Sequence, residues 1–104
     1  MLVKLGVDIS RLKRPMRRGL KKIDSAFLRH TDFEAVVTST YDGNHSPSSL
    51  HYAHLAVDLR LPAETPFISN DIVKKELKSS LGKDFDVILE RNHFHIEYDP
   101  KEKS

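Results

Sequence analysis

The sequence predicts an α+β domain in which two helices pack on one face of a largely antiparallel sheet. Three observations predict it. Two segments carry apolar residues at helical spacing, several short runs are β-branched or alternate in polarity, and the last two of these runs are separated by a tight turn signal. The chain has 104 residues, 38% of them hydrophobic and 31% charged, which suits a single domain with one core. No repeat, low-complexity segment or linker divides it, so residues 1–104 are read as one minimal domain.

Leu2 to Val7 reads as a short strand or an extended arm. Pro15 fits the start of a helix from about Met16 to His30, with Leu20, Ile23, Phe27 and Leu28 as its apolar stripe. Gly19 is expected to weaken its first turn. Glu34 to Thr40 is β-branched and apolar, a core strand. Tyr41 to Ser49 is rich in Gly, Asn, Ser and Pro and reads as a loop. Leu55 to Leu61 is the next strand, ended by Pro62. Ser69 or Asn70 caps a helix from about Asp71 to Leu81, with Ile72, Val73, Leu77 and Leu81 inward and Gly82 as its stop. Asp84–Leu89 and His93–Tyr98 follow as two strands joined at Arg91-Asn92, and the charged tail from Asp99 onward is expected to fray.

Composition sets limits on function. The net charge is only +2, which argues against a general nucleic-acid or membrane role. The positive charge is uneven, because Lys13, Arg14, Arg17, Arg18, Lys21 and Lys22 crowd the N-terminal quarter. Such a cluster suits phosphate or an anionic polymer, although a solvated helix face is the commoner meaning. No nucleic-acid-binding pattern of interleaved aromatics accompanies it. Cysteine is absent, so no disulfide framework is expected and the compartment cannot be read from thiols. No apolar run approaches the roughly eighteen residues of a membrane-spanning helix. Leu2 to Ile9 is interrupted by Lys4 and Asp8 and lacks the apolar core of a signal peptide. The expected location is the cytoplasm, or the cell wall if something outside the chain exports it, and the expected state is a monomer.

Four of the six histidines fall in two short segments, Ser49-Leu-His51-Tyr-Ala-His54-Leu-Ala-Val-Asp58 and Glu90-Arg-Asn-His93-Phe-His95-Ile-Glu97. A borderline-soft ion such as Zn²⁺ takes three or four N and O ligands in tetrahedral array, and an enzyme leaves one position for water. Side chains alternate along a strand, so His93, His95 and Glu97 share one face and Phe94, Ile96 and Tyr98 the other. Asp58 shares its face with Ala56 and Arg60, while Val57 and Leu59 point to the core. If the two strands pair, at a spacing of about 4.8 Å, Asp58 and His95 come within reach of one ion, with His51 returning over that face from the loop.

Ser49-x-His51-x6-Asp58 resembles the S-x-H-x-x-G-x-A-x-D signature of D-Ala-D-Ala carboxypeptidase-type zinc peptidases, and Val37 to His51 resembles their strand-and-loop lead-in. His93-Phe-His95-Ile-Glu97 resembles their closing H-x-H strand. The superfamily includes phage L-alanyl-D-glutamate endolysins, lysostaphin-type endopeptidases and the hedgehog signalling domain. The resemblance covers about residues 16 to 98, its two motifs being the specific part. It implies a hedgehog/DD-peptidase-like fold and a zinc-dependent carboxypeptidase or endopeptidase that cuts a peptide bond in bacterial peptidoglycan. His51 and Asp58 match two zinc ligands. In the H-x-H register His95 is the third and His93 assists the transition state. In an E-x-x-H register His93 is the ligand and Glu90 the general base. The Glu97 ending favours His95, and Glu90 is the best available base in either register. Ser49 is expected to orient the loop and His45 to flank the substrate cleft.

The chain departs from the pattern in two places. Asn92 stands three residues before His95, where a base is expected, and an amide takes no proton. His54 stands where the family has glycine. The competing class is therefore a non-catalytic metal-binding or structural module of the same fold, such as a phage component. Neither a cysteine nor an elbow serine supports covalent catalysis.

Overall fold

Two helices lie against one face of a five-stranded sheet, in a computed structural model that describes residues 1–31, 34–40, 55–62 and 69–100. In chain order the elements are β1 (Leu2–Val3), α1 (Arg14–His30), β2 (Val36–Ser39), β3 (Ala56–Arg60), α2 (Asn70–Leu81), β4 (Phe85–Leu89) and β5 (His93–Tyr98). The class is α+β. Among the described residues no helix is long and apolar enough to cross a membrane.

Helix α1 begins two residues before its expected start, with Pro15 in the first turn, where its missing N–H removes no intrahelical bond. It ends at Thr31, whose amide and hydroxyl both donate to the Phe27 carbonyl at 2.7 and 2.8 Å. Met16, Ile23, Ala26 and Phe27 form its buried face. Leu28, expected in that stripe, is 59% exposed because it stands about 100° round the helix from Phe27. Gly19, expected to weaken the first turn, has a packing reason to be there. A Cβ there would meet the Phe85 ring at 3.0 Å and Leu81 at 3.4 Å, so glycine lets the helix nest against the end of α2 and the start of β4.

Helix α2 follows its caps. The Ser69 hydroxyl accepts from the Ile72 amide at 3.2 Å, Asp71 and Lys78 complement the dipole at opposite ends, and Gly82 ends the helix at φ +86°. Val73, Leu77 and Leu81 face inward, but Ile72, one residue round from Val73, is 51% exposed rather than inward.

The sheet order is β1-β2-β3-β5-β4, with β2–β3, β3–β5 and β4–β5 antiparallel. The sheet is largely antiparallel as expected, and the β1–β2 pair is the exception: Leu2 and Val3 pair in parallel with Val36 and Val37, making the sheet mixed. The reason is the intervening helix, since a parallel pair needs a crossover of a dozen or more residues and α1 supplies it. The α-amino group of Met1 reinforces this edge, lying 3.2 Å from Asp24 and 2.5 Å from Glu34. Its hydrogen bond to Glu34 raises its pKa above the ordinary 8.0. At the other end of the chain Asp99 is not frayed, because its amide donates to the Asp84 carbonyl at 2.7 Å.

Val37, Val57, Leu59, Val87, Phe94 and Ile96 turn to the helices and close the core, with Phe27 and Phe94 edge to face at 6.4 Å. The alternation that sends these six inward sends Asp58, His93, His95 and Glu97 to the opposite face, away from α1 and α2.

Candidate functional site

Strands β3 and β5 bring the two motifs together by register. Asp58 stands directly opposite His95, Arg60 opposite His93, and Ala56 opposite Glu97. Ala56 is fully buried. Asp58 is itself nearly buried, with 9% of its surface exposed, and a charge at that depth needs partners.

Both imidazoles provide them. His95 Nδ1 lies 3.0 Å from Asp58 Oδ1, and His93 Nε2 lies 3.7 Å from the same oxygen. The remaining nitrogen of each ring faces another oxygen. His93 Nδ1 donates to Asn92 Oδ1 at 2.7 Å, and His95 Nε2 lies 3.8 Å from Glu97 Oε1. Thr38, on the far side of β3, donates its hydroxyl to the Asp58 carbonyl at 3.3 Å. The hydrogen bond to Asp58 raises the pKa of His95 above its ordinary 6.5. Burial opposes the rise, and the charges of Asp58, Glu97 and Glu90 add to it.

Glu90 and Asn92 belong to the β4–β5 hairpin. The Glu90 amide donates to the His93 carbonyl at 2.9 Å, leaving Arg91-Asn92 as the two-residue turn read from the sequence. The Glu90 side chain is exposed and its charge acts on His95.

This geometry bears on zinc as follows. Bonds of about 2.0–2.1 Å in a tetrahedron set neighbouring ligand atoms about 3.3 Å apart. The 3.0 and 3.7 Å separations from Asp58 Oδ1 straddle that spacing. The donor set of one carboxylate and two imidazoles is chemically apt, and a ring nitrogen held outward by an oxygen is how metal-binding histidines are commonly oriented. Among the described residues no group of three or more His, Cys, Asp or Glu is closed enough to hold an ion. His51, the expected further ligand, lies outside the described residues, as do Ser49, His45 and His54.

Asp58, His93 and His95 are thus gathered, with Glu90 near and Glu97 behind. Sequence reasoning treated Asn92 only as the lack of a base, whereas it is the acceptor that holds His93. The signal was present in its adjacency to His93 at a two-residue turn, where a short amide side chain reaches its neighbour. In comparisons with protein families, curated proteins and solved structures, nothing matches the chain.

Proposed function

We propose that this chain is a zinc-dependent peptidase of the D-Ala-D-Ala carboxypeptidase type with a hedgehog/DD-peptidase-like fold, hydrolysing a peptide bond in the stem or cross-bridge of bacterial peptidoglycan. The observation that carries the reading is the convergence of His95 Nδ1 and His93 Nε2 on Asp58 Oδ1, each ring backed by an oxygen. The resemblance of the two motifs supplies the substrate class. Asp58, His95 and His51 are the residues that would hold zinc.

Zinc, when bound, supplies a Lewis acid and brings the pKa of a water to near 7. The chain's own groups do the rest. Glu90 accepts the proton of the attacking water and hands it to the amine nitrogen as the C–N bond breaks, and Asp58 fixes His95 in place. His93, held at Nδ1 by Asn92, takes a proton at Nε2 and donates it as a hydrogen bond to the carbonyl oxygen as negative charge grows there. One such donor is worth about 10²–10³ in rate. The protein acts as a monomer, in the cytoplasm or on the cell wall.

The test begins with elemental analysis of protein purified without chelator. About one zinc per chain is expected, lost in Asp58→Ala and in His51→Ala; full occupancy in both variants sinks the assignment. Glu90→Gln should then keep zinc and fold while cleavage of stem-peptide substrates falls about 10²–10⁴-fold. A second reading is favoured by the exposed Glu90 and by Asn92 in the place of a base: a metal-binding module without hydrolysis. Wild-type protein that holds zinc and cleaves no stem or cross-bridge peptide establishes that reading instead.

A further inference from the structure

We propose that the outward surface of the helix layer docks a linear phosphodiester polymer without bases, of the polyol-phosphate kind. Helices α1 and α2 carry nine of the seventeen Lys and Arg residues and only three of the fifteen Asp and Glu. In α1, Arg14, Arg17, Arg18, Lys21, Lys22 and Arg29 are exposed on the side away from the sheet.

The arrangement works against the helix that bears it. Arg14 and Arg18, Arg17 and Lys21, and Arg18 and Lys22 are like charges one turn apart, as are Lys74 and Lys78 in α2. The first turn of α1 holds no acid, its N-cap Lys13 makes no side-chain cap, and Arg14 and Arg17 oppose the dipole. The one acid of α1, Asp24, is engaged by the Met1 amine. None of these cations belongs to the core cluster. Local choices that conflict with stability mark positions kept for function, and a polyanion removes every one of these conflicts together.

Shape agrees with a flexible strand. A hollow of about 380 Å³ at the α1–α2 seam is lined by Lys21, Lys22, Arg29 and Ser80, with the Arg29 guanidinium donating to Ser80 at 3.1 Å. A second, of about 640 Å³, lies between α2 and β4, where Lys74, Lys78 and Lys83 outnumber the one acid, Asp86, over a floor that includes Val87 and Ile88. Helix α2 therefore borders both depressions, with Ser80 at the first and Lys74 and Lys78 at the second. Among the described residues the only aromatic lining either hollow is Phe85, already edge-on to Tyr98 at 5.3 Å, so these residues offer nucleobases no free platform. The choice of a wall-type polymer over a nucleic acid rests on the peptidoglycan reading; the charge argument does not. Because the helices cover the face opposite Asp58 and His95, a polymer bound there tethers the protein while leaving that site uncovered.

The test is binding of fluorescent poly(glycerol phosphate), read by anisotropy with chelator present, so that it does not depend on zinc or cleavage. The expected result is binding at low ionic strength that weakens with log salt by about 0.7 per phosphate engaged. Lys22→Glu and Lys78→Glu should each weaken it about tenfold, while Arg91→Glu, an equal charge change on the hairpin turn, alters it less than about twofold. Circular dichroism checks that each variant is folded. Absence of binding, equal weakening by Arg91→Glu, or tighter binding of duplex DNA of the same phosphate count overturns the proposal. Polymer binding by a protein that holds no zinc would leave this proposal standing and strike only the peptidase reading.

Discussion

Asp58 is the residue on which the site turns. A nearly buried carboxylate between two imidazoles, with a second carboxylate, Glu97, beyond one of them, is a set of groups whose charges depend on one another. In the H-x-H register, His95→Ala should abolish zinc binding while His93→Ala keeps the metal and loses cleavage. The reverse pattern, measured by metal content and peptide hydrolysis, moves the ligand to His93. The metal-free protein gives a separate check through pH. The His95 pKa is raised in the fold by its hydrogen bond to Asp58, so the stabilisation from this pair is complete below the unfolded value near 6.5 and fades as pH rises through the higher folded value. With chelator present, denaturant midpoints of the wild type should fall from about pH 6 to about pH 8 relative to those of Asp58→Asn, which lacks the charged acceptor. Parallel profiles for the two proteins would show that the hydrogen bond carries no linkage.

The helices differ in how well their sequences suit them. α2 has a Ser69 cap, an acid in its first turn and a lysine in its last, so local preference and fold agree. α1 lacks a side-chain cap and starts on cations. It is held by its buried face, where Met16, Ile23 and Ala26 are fully enclosed, since packing rather than propensity supplies most helical stability. Arg17→Glu should therefore stabilise the fold. It places an acid in the first turn and forms a favourable pair with Lys21 four residues on, together worth about 0.5–1 kcal/mol. A lower thermal midpoint would contradict the account of α1 as an electrostatically strained helix. The same variant should bind the phosphate polymer more weakly, so gain of stability and loss of binding are expected in one protein.

Across the whole molecule, the two layers meet where Gly19 faces Phe85. The ring of Phe85 is hemmed in on the other side by Tyr98, and Leu81 lies beside it. A larger side chain at position 19 has to move a ring that three elements hold. Gly19→Leu should lower stability by about 1–3 kcal/mol through overpacking, despite leucine's better helix propensity. Chemical denaturation reads the change, and an unchanged midpoint would mean that the layers can part without loss. Such a parting would also shift β4 and the β4–β5 hairpin that carries Glu90 and Asn92, which links packing on one face of the sheet to the candidate site on the other.

Local pattern in the sequence determined most of the elements. The 3.6-residue spacing of apolar side chains located both helices, and the Ser69 and Gly82 signals bounded α2. The strand His93–Tyr98 and its two-residue turn were legible because alternation and turn chemistry are properties of neighbouring residues. The shared face of His93, His95 and Glu97 followed from the same alternation, and the pairing of Asp58 with His95 needed only the added assumption that the strands adjoin. Tertiary structure alone decided the rest. Parallel pairing of Leu2 and Val3 with Val36 and Val37 depends on where a whole helix returns the chain, and no local pattern records that. The value of Gly19 lies in a ring 66 residues away in sequence, at Phe85. The convergence of two ring nitrogens on one carboxylate oxygen is set by strand register and by the outward anchors Asn92 and Glu97. Residue spacing names the groups that can meet, but rotamers and inter-strand geometry fix which of their atoms do.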